Sequence, residues 1–321
     1  DEMFALLCAC AHSRLVGFHV DDESCSGLLN YGHNRSEQTI KCAKFFASLA
    51  NLSATLAAES SALEKRGAGS WAKLQLAVDA GTAWSCPTGT KECFNLTFGG
   101  KTVSVAEHVI DLADEAVIMD YDRSPTSLYT RAKPYLDYAD SLDPKLGKEV
   151  SVGVAIAQWN DTKAPSWQTK SEAEMERLMS DSIEQMQMHR SFKGFAVFTE
   201  GNWKGQAEHS SKHQQHGDST FHAAGAWYID HKVVLNQTAR AEWLKWAASR
   251  SVSALYIAPH AGNTALISIP GVEGSPEDDV KFCDFIHLAD KQGLDVSLLS
   301  TPTTDWSFVQ NCTARRPNDY S

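Results

Sequence analysis

Long apolar runs are missing from this chain. The longest near its start, Phe4–Ala11, falls well short of the roughly 18 residues that a membrane-spanning helix needs, so no membrane insertion is expected. No basic n-region precedes it, so it does not read as a signal peptide, and a leader would already have been removed. No Gly-x-Gly-x-x-Gly follows an apolar run, which leaves a dinucleotide site unsupported, and no Gly-x-Ser-x-Gly marks a serine nucleophile. Paired Cys-x-x-Cys motifs are also lacking, so the eight cysteines do not read as a zinc site, and no cofactor is expected. Positive charge is in deficit. Lys and Arg number 29 against 40 Asp and Glu, a net charge of −11 that argues against nucleic acid or an anionic membrane as partner.

Asparagine is scarce too, but its placement is informative. Asn34, Asn51, Asn95, Asn160, Asn236 and Asn311 all open Asn-x-Ser/Thr acceptor sites, where ordinary Ser/Thr frequencies would give roughly one or two. An even cysteine count suits an oxidising compartment. Cys86 to Cys93 reads as a turn closed by a local disulfide, and the other pairings stay open. These features predict a secreted, N-glycosylated extracellular protein.

Short apolar runs recur along the chain at 14–20, 73–78, 116–121, 149–155, 194–198, 226–234, 254–258 and 294–299. Helix-period segments lie between them at 36–65, 127–143, 171–189, 238–249 and 276–292. Strands alternating with helices predict a parallel sheet. Eight such units in one chain predict an α/β fold of the closed (β/α)8 TIM-barrel type, a single domain over 1–321.

The C-terminal ends of barrel strands carry active sites. At the end of the first run, His19, Asp21 and Glu23 alternate, so a strand would line them on one face. Paired carboxylates there are the raw material of glycoside chemistry; the same residues also suit a strand that merely ends in a charged loop. Other run ends add Asp79 and Trp84, Asp120 with Tyr121 and Asp122, Trp159, Glu200 and Trp203, His260, and Trp306. Sugars are bound by polar groups and by flat aromatic faces, so this set reads as a glycan site, with helix-docking loops as the plainer alternative.

At this point the chain resembles the glycoside hydrolase family 18, or chitinase-like, barrels. Gly17-Phe-His-Val-Asp-Asp-Glu23 is similar to that family's Asp-x-Asp-x-Glu strand end. Val117-Ile-Met-Asp-Tyr-Asp122 is similar to its Met-x-Tyr-Asp strand end, and Gly194 to Phe198 with Trp203 to its last strand. The resemblance implies Glu23 as general acid, Asp21 as the group that orients a substrate acetamido nucleophile, and Tyr121 as its hydrogen-bond partner, with Asp120 and His19 beside them. It implies substrate contacts from Trp84, Asp122, Trp159, Glu200, Trp203 and Trp306. His19 departs from the family by standing where it has an Asp. The strand order departs as well: by resemblance the chain starts near the family's strand 4, as though circularly permuted or cut from a tandem array.

A polar, His-rich loop at about 205–222 would join the family's last and first strands. Its His209, His213 and His216, with His222 and His231, read as an exposed linker rather than a metal site. Met119 and the Leu255-Tyr256 pair read as core, and 145–148 as a solvated basic turn. The functional expectation is hydrolysis or binding of a β-linked amino-sugar glycan. The alternative is a catalytically silent extracellular subunit or lectin on the same barrel, capable of head-to-tail self-assembly.

Overall fold

The computed structural model describes residues 15–21, 25, 35–65, 73–85, 95–121, 124–155, 172–198, 223–227, 231–249, 252–257, 260–261, 264–265 and 276–300. Strand β1 (Leu15–Val20) leads to α1 (Arg35–Lys65) and β2 (Gln75–Gly81). A hairpin of β3 (Asn95–Phe98) and β4 (Lys101–Ser104) runs into α2 (Val105–Leu112). Then β5 (Glu115–Met119), α3 (Pro125–Ser141), β6 (Glu149–Ala155), α4 (Glu172–Met186) and β7 (Phe192–Phe198) alternate. The remainder is β8 (Ala223–Trp227), α5 (His231–Leu235), α6 (Gln237–Ser249), β9 (Ala254–Ile257), the two-residue strands β10 (His260–Ala261) and β11 (Thr264–Ala265), α7 (Pro276–Lys291) and β12 (Asp295–Ser300).

The fold is α/β, with a curled parallel sheet and helices packed outside it. β1 pairs in parallel with β2 on one side and with β12 on the other. The pairings β12–β9–β8–β7–β6–β5–β2 complete the ring. Side-chain alternation then separates two layers. Outward residues such as Val20, Val78, Ile118, Val152, Val197 and Leu298 join the helices in one large core. Inward, a small apolar cluster holds Val117, Ala196, Ala254, Tyr256 and Leu299, with Tyr121 and Phe198 packed against it.

Local chemistry explains the connections. Gly99 (φ 57°) and Gly100 (φ 80°) supply the two left-handed residues that a two-residue hairpin between β3 and β4 requires. Ser104 and Glu107 form a capping box on α2, with Ser104 N donating to Glu107 Oε2 at 2.8 Å. Ser124 caps α3, and Pro125 sits where its missing N–H costs nothing. At Gly17 the backbone of β1 runs so close to β2 that a Cβ would lie 1.9 Å from the Gln75 carbonyl oxygen.

Several expectations need correction. The 226–234 run is split: its start belongs to β8, whereas His231–Leu235 is helical. The β3–β4 hairpin, α2 and the β10–β11 pair break the simple alternation that periodicity predicted. Lys148 is half-buried rather than solvated; its Nζ donates to the Asp111 and Ala113 carbonyls at the end of α2. Burial lowers its ammonium pKa against the pull of Asp114 and Asp111. Cys25 is disulfide-bonded to Cys42 on α1. Cys86 and Cys93 lie outside the described residues.

Candidate functional site

The inner face of the ring carries a connected set of buried polar groups from six strands. His19 (β1) is fully buried, and its Nε2 lies 2.8 Å from Oδ1 of Asp79 (β2). The imidazole packs against the Tyr256 ring (β9), centroids 4.3 Å apart. The Tyr256 hydroxyl donates to both Glu115 oxygens (β5) at 3.3 and 3.4 Å. Glu115 also accepts from Ser151 Oγ (β6) at 2.6 Å and from Lys193 Nζ (β7) at 2.8 Å. Lys193 is 2.9 Å from Glu149 at the start of β6, where the ring opens to solvent at its N-terminal end.

A β-bulge sets part of this geometry. Opposite β6, Phe192 pairs with Val150 but Gly194 pairs with Ser151, so Lys193 is the extra residue. Such an insertion re-aims a side chain; here Lys193 reaches Glu115 on the strand beyond β6.

The electrostatics follow from burial and partners. Burial pushes the Asp79 carboxyl up, the charge and hydrogen bond of His19 pull it down, and nearby Glu115 adds to the rise; the net result is raised. Burial would also raise Glu115, but the Lys193 ammonium and the bonds from Lys193 and Ser151 outweigh it and hold the carboxyl below its ordinary range. Lys193 is raised, its two carboxylate partners overcoming its own burial. Burial and the negative charges of Glu115 and Asp79 lift the Tyr256 hydroxyl well above its usual value.

Above this set, at the C-terminal end of the sheet, Asp21 follows β1 two residues after His19 and is half-buried. Tyr121 follows β5, and its ring stacks on Phe198 at the end of β7, 6.1 Å between centroids and 24° between planes. Both rings are half-buried. His19, Asp21 and Tyr121 are thus gathered at one end of the inner face.

Two sequence-predicted site residues lie elsewhere. Trp84 is 3% exposed and packs against Phe45 of α1 in the outer core, so its face is not available to a sugar. Asp120 alternates with the inward residues of β5; it is fully buried, and its Oδ1 accepts from Arg131 Nη1 of α3 at 2.9 Å. It ties a helix to the sheet. Glu23, Asp122, Trp159, Glu200, Trp203 and Trp306 lie outside the described residues.

Of the acceptor asparagines, Asn51, Asn95 and Asn236 are exposed, and Asn236 Oδ1 accepts from the Thr238 and Ala239 backbone N–H groups at the start of α6. Asn34, Asn160 and Asn311 lie outside the described residues, as does the His-rich segment at 205–222. Among the described residues no cluster of three or more His, Cys, Asp or Glu has the arrangement of a metal site. No described helix is long and apolar enough to cross a membrane.

Sequence reasoning missed Glu115, Ser151, Lys193, Tyr256 and Phe198. A period-2 signal was present for Glu115, which shares a strand face with Val117 and Met119. Nothing in the sequence marked the Lys193 bulge. Neither a scan against protein-family models nor a search of curated proteins finds a match to this chain.

Proposed function

We propose that this chain is a secreted TIM-type (β/α)8 barrel, permuted in strand order, that binds or hydrolyses a β-linked amino-sugar glycan at the C-terminal mouth of its sheet. The observation that carries the reading is the presence, at the same end of the sheet, of a half-buried carboxylate, Asp21, and a half-buried aromatic stack of Tyr121 on Phe198. A sugar ring offers hydroxyls and an amide to the first and an apolar face to the second. Glu23, one further alternate position along from Asp21, is the proposed general acid. Asp21 and Tyr121 would hold the substrate acetamido group that attacks the anomeric carbon, a substrate-assisted variant of retaining hydrolysis.

The test is a panel of chitin, peptidoglycan-type and plant-type oligosaccharides, incubated with the protein and with Glu23→Gln and Asp21→Asn, products followed by mass spectrometry. The proposal expects cleavage of an amino-sugar oligomer that both substitutions abolish while binding persists. Binding without cleavage in the unsubstituted protein leaves a lectin. Neither binding nor cleavage discards the glycan reading and leaves the silent structural subunit.

A further inference from the structure

The acceptor sequences at Asn51, Asn95 and Asn236 play no part in the mouth, and the fold treats them differently. All three asparagines are exposed. N-linked glycosylation needs two groups from such a sequence, the side-chain amide nitrogen and the hydroxyl two residues on. At Asn51 the fold employs the hydroxyl: Ser53 Oγ donates to the Leu112 carbonyl at 2.9 Å, tying α1 to the end of α2. At Asn95 it is employed as well, since Thr97 Oγ1 and Thr102 Oγ1 lie 2.8 Å apart across the β3–β4 hairpin. Asn236 differs. It is the N-cap of α6: its backbone carbonyl accepts from Arg240 N at 2.9 Å, and its Oδ1 accepts from the Thr238 and Ala239 N–H groups at 3.0 and 3.1 Å. The planar amide then turns Nδ2 away from the helix end, and Nδ2 makes no hydrogen bond among the described residues. The Thr238 hydroxyl makes none either. Capping explains the asparagine. Nothing in the fold explains an exposed threonine at the second position of α6, where its helix propensity is poor.

We propose that Asn236 carries an N-linked glycan on Nδ2 while its Oδ1 goes on capping α6, so that one side chain is both glycan anchor and helix cap. The chemistry allows both. A lipid-linked oligosaccharyl diphosphate supplies the sugar. The bond from its anomeric carbon to the diphosphate oxygen breaks, and the bond from that carbon to Nδ2 forms. Nδ2 gives up one proton, and the diphosphate leaves with the bonding electrons. The product is a secondary amide whose oxygen still accepts hydrogen bonds, as a backbone carbonyl does. Position adds a consequence. α6 leads back from β8 to the start of the parallel strand β9, so its first turn lies on the C-terminal side of the sheet, the side that holds Asp21 and Tyr121. The glycan therefore stands on the side of the mouth. The inference rests on the secreted part of the reading above and not on what the mouth binds.

The full chain is expressed in eukaryotic cells behind a cleavable secretion leader, and occupancy is read on secreted and cell-retained protein alike. Peptide-N-glycosidase in heavy-oxygen water converts each glycosylated Asn into labelled Asp, which peptide mass spectrometry locates. Asn236 is expected to be labelled in most of the chains. Thr238→Ala, which keeps the capping side chain, and Asn236→Asp, which caps equally well, are each expected to run lighter by one glycan and to be at least as stable as the enzyme-treated protein. Asn236→Ala is expected to lose the same mass and a further few degrees of Tm, since it alone removes the cap. An unlabelled Asn236, or a Thr238→Ala chain of unchanged mass, overturns the attachment. An Asn236→Ala chain as stable as Asn236→Asp overturns the dual role. The oligosaccharide panel decides the ligand of the mouth separately: a protein that neither binds nor cleaves its members, yet is labelled at Asn236, loses that reading and keeps this one.

Discussion

Replacing Lys193 with Met should convert a silent carboxylate into a pH-dependent liability. Glu115 is 4% exposed and Lys193 is its only positively charged hydrogen-bond partner among the described residues. In Lys193→Met, Ser151 and Tyr256 still donate to it. Removing one member of a buried ion pair typically costs about 3–5 kcal/mol, because the other charge is left stranded. Here the loss has a ceiling, since Glu115 escapes by taking up a proton. From its ordinary value of 4.5, each pH unit up to about pH 7 costs about 1.4 kcal/mol, so the stranded charge costs at most about 3.5 kcal/mol. Any net favourable contribution of the intact pair adds to that.

The sign of the pH effect follows. In the unsubstituted protein the Glu115 pKa is lowered on folding, so its contribution is present above pH 4.5 and fades as pH falls below it. In Lys193→Met the folded pKa is raised instead, so protonation is favoured by folding and the penalty vanishes on acidification. Urea unfolding of both proteins at about pH 7 and about pH 4.5 should show a difference of up to about 3.5 kcal/mol shrinking below about 1 kcal/mol. Adding Glu115→Gln to Lys193→Met should restore most of the neutral-pH loss, which a double-mutant cycle reads directly. An equal loss at both pH values, or no recovery in the double variant, refutes the charge argument and leaves only lost packing of the lysine stem.

Gly17→Ala should loosen the β1–β2 seam, because the new methyl meets the Gln75 carbonyl; a loss of about 1–3 kcal/mol in thermal or urea unfolding is expected, and a neutral result would show that the strands part freely. Ser104→Ala removes one half of the α2 capping box and should cost about 1 kcal/mol, with Glu107→Gln costing less because an amide still accepts from the Ser104 N–H. Asp140 accepts from Ser191 N and sits 2.8 Å from His189 Nδ1; burial raises its pKa, but these bonds outweigh it and the net is lowered. Its contribution is therefore present above pH 3.8 and lost below, so Asp140→Asn should lower Tm at neutral pH and make little difference near pH 3. A Tm difference independent of pH would assign the effect to packing instead.

Strands of the curled sheet were legible where their helix-facing side is apolar: Phe18 and Val20, or Val150, Val152 and Val154, stand out at period 2 or as a run. The run at 226–234 misled because Val233 and Val234 serve a short helix as well as they would a strand, and propensity does not separate the two. The hairpin at 95–104 was overlooked although Gly99-Gly100 announces it. At the candidate site, His19, Asp21 and Tyr121 were visible by alternation past a strand end. Asp120 was misplaced by one step of that alternation, which puts it on the helix side of β5. Trp84 was misread because a Trp after a strand serves equally as a platform or as a wedge against the next helix, and Phe45 settles which. Tyr256 read as core because it is buried; that it also carries a polar contact depends on Glu115, 141 residues away in the chain.

Where the described strands divide into a helix-facing side and a ring-facing side, the two sides are separately mutable. The helix-facing side holds nearly all of the large apolar residues, whereas the ring-facing apolar cluster is small. A combinatorial library confined to ring-facing positions such as 119, 121, 196, 198 and 299 would therefore sample new ligand chemistry while leaving the residues that hold the scaffold together untouched. A library of equal size shifted by one residue along each strand would sample mostly unfolded chains.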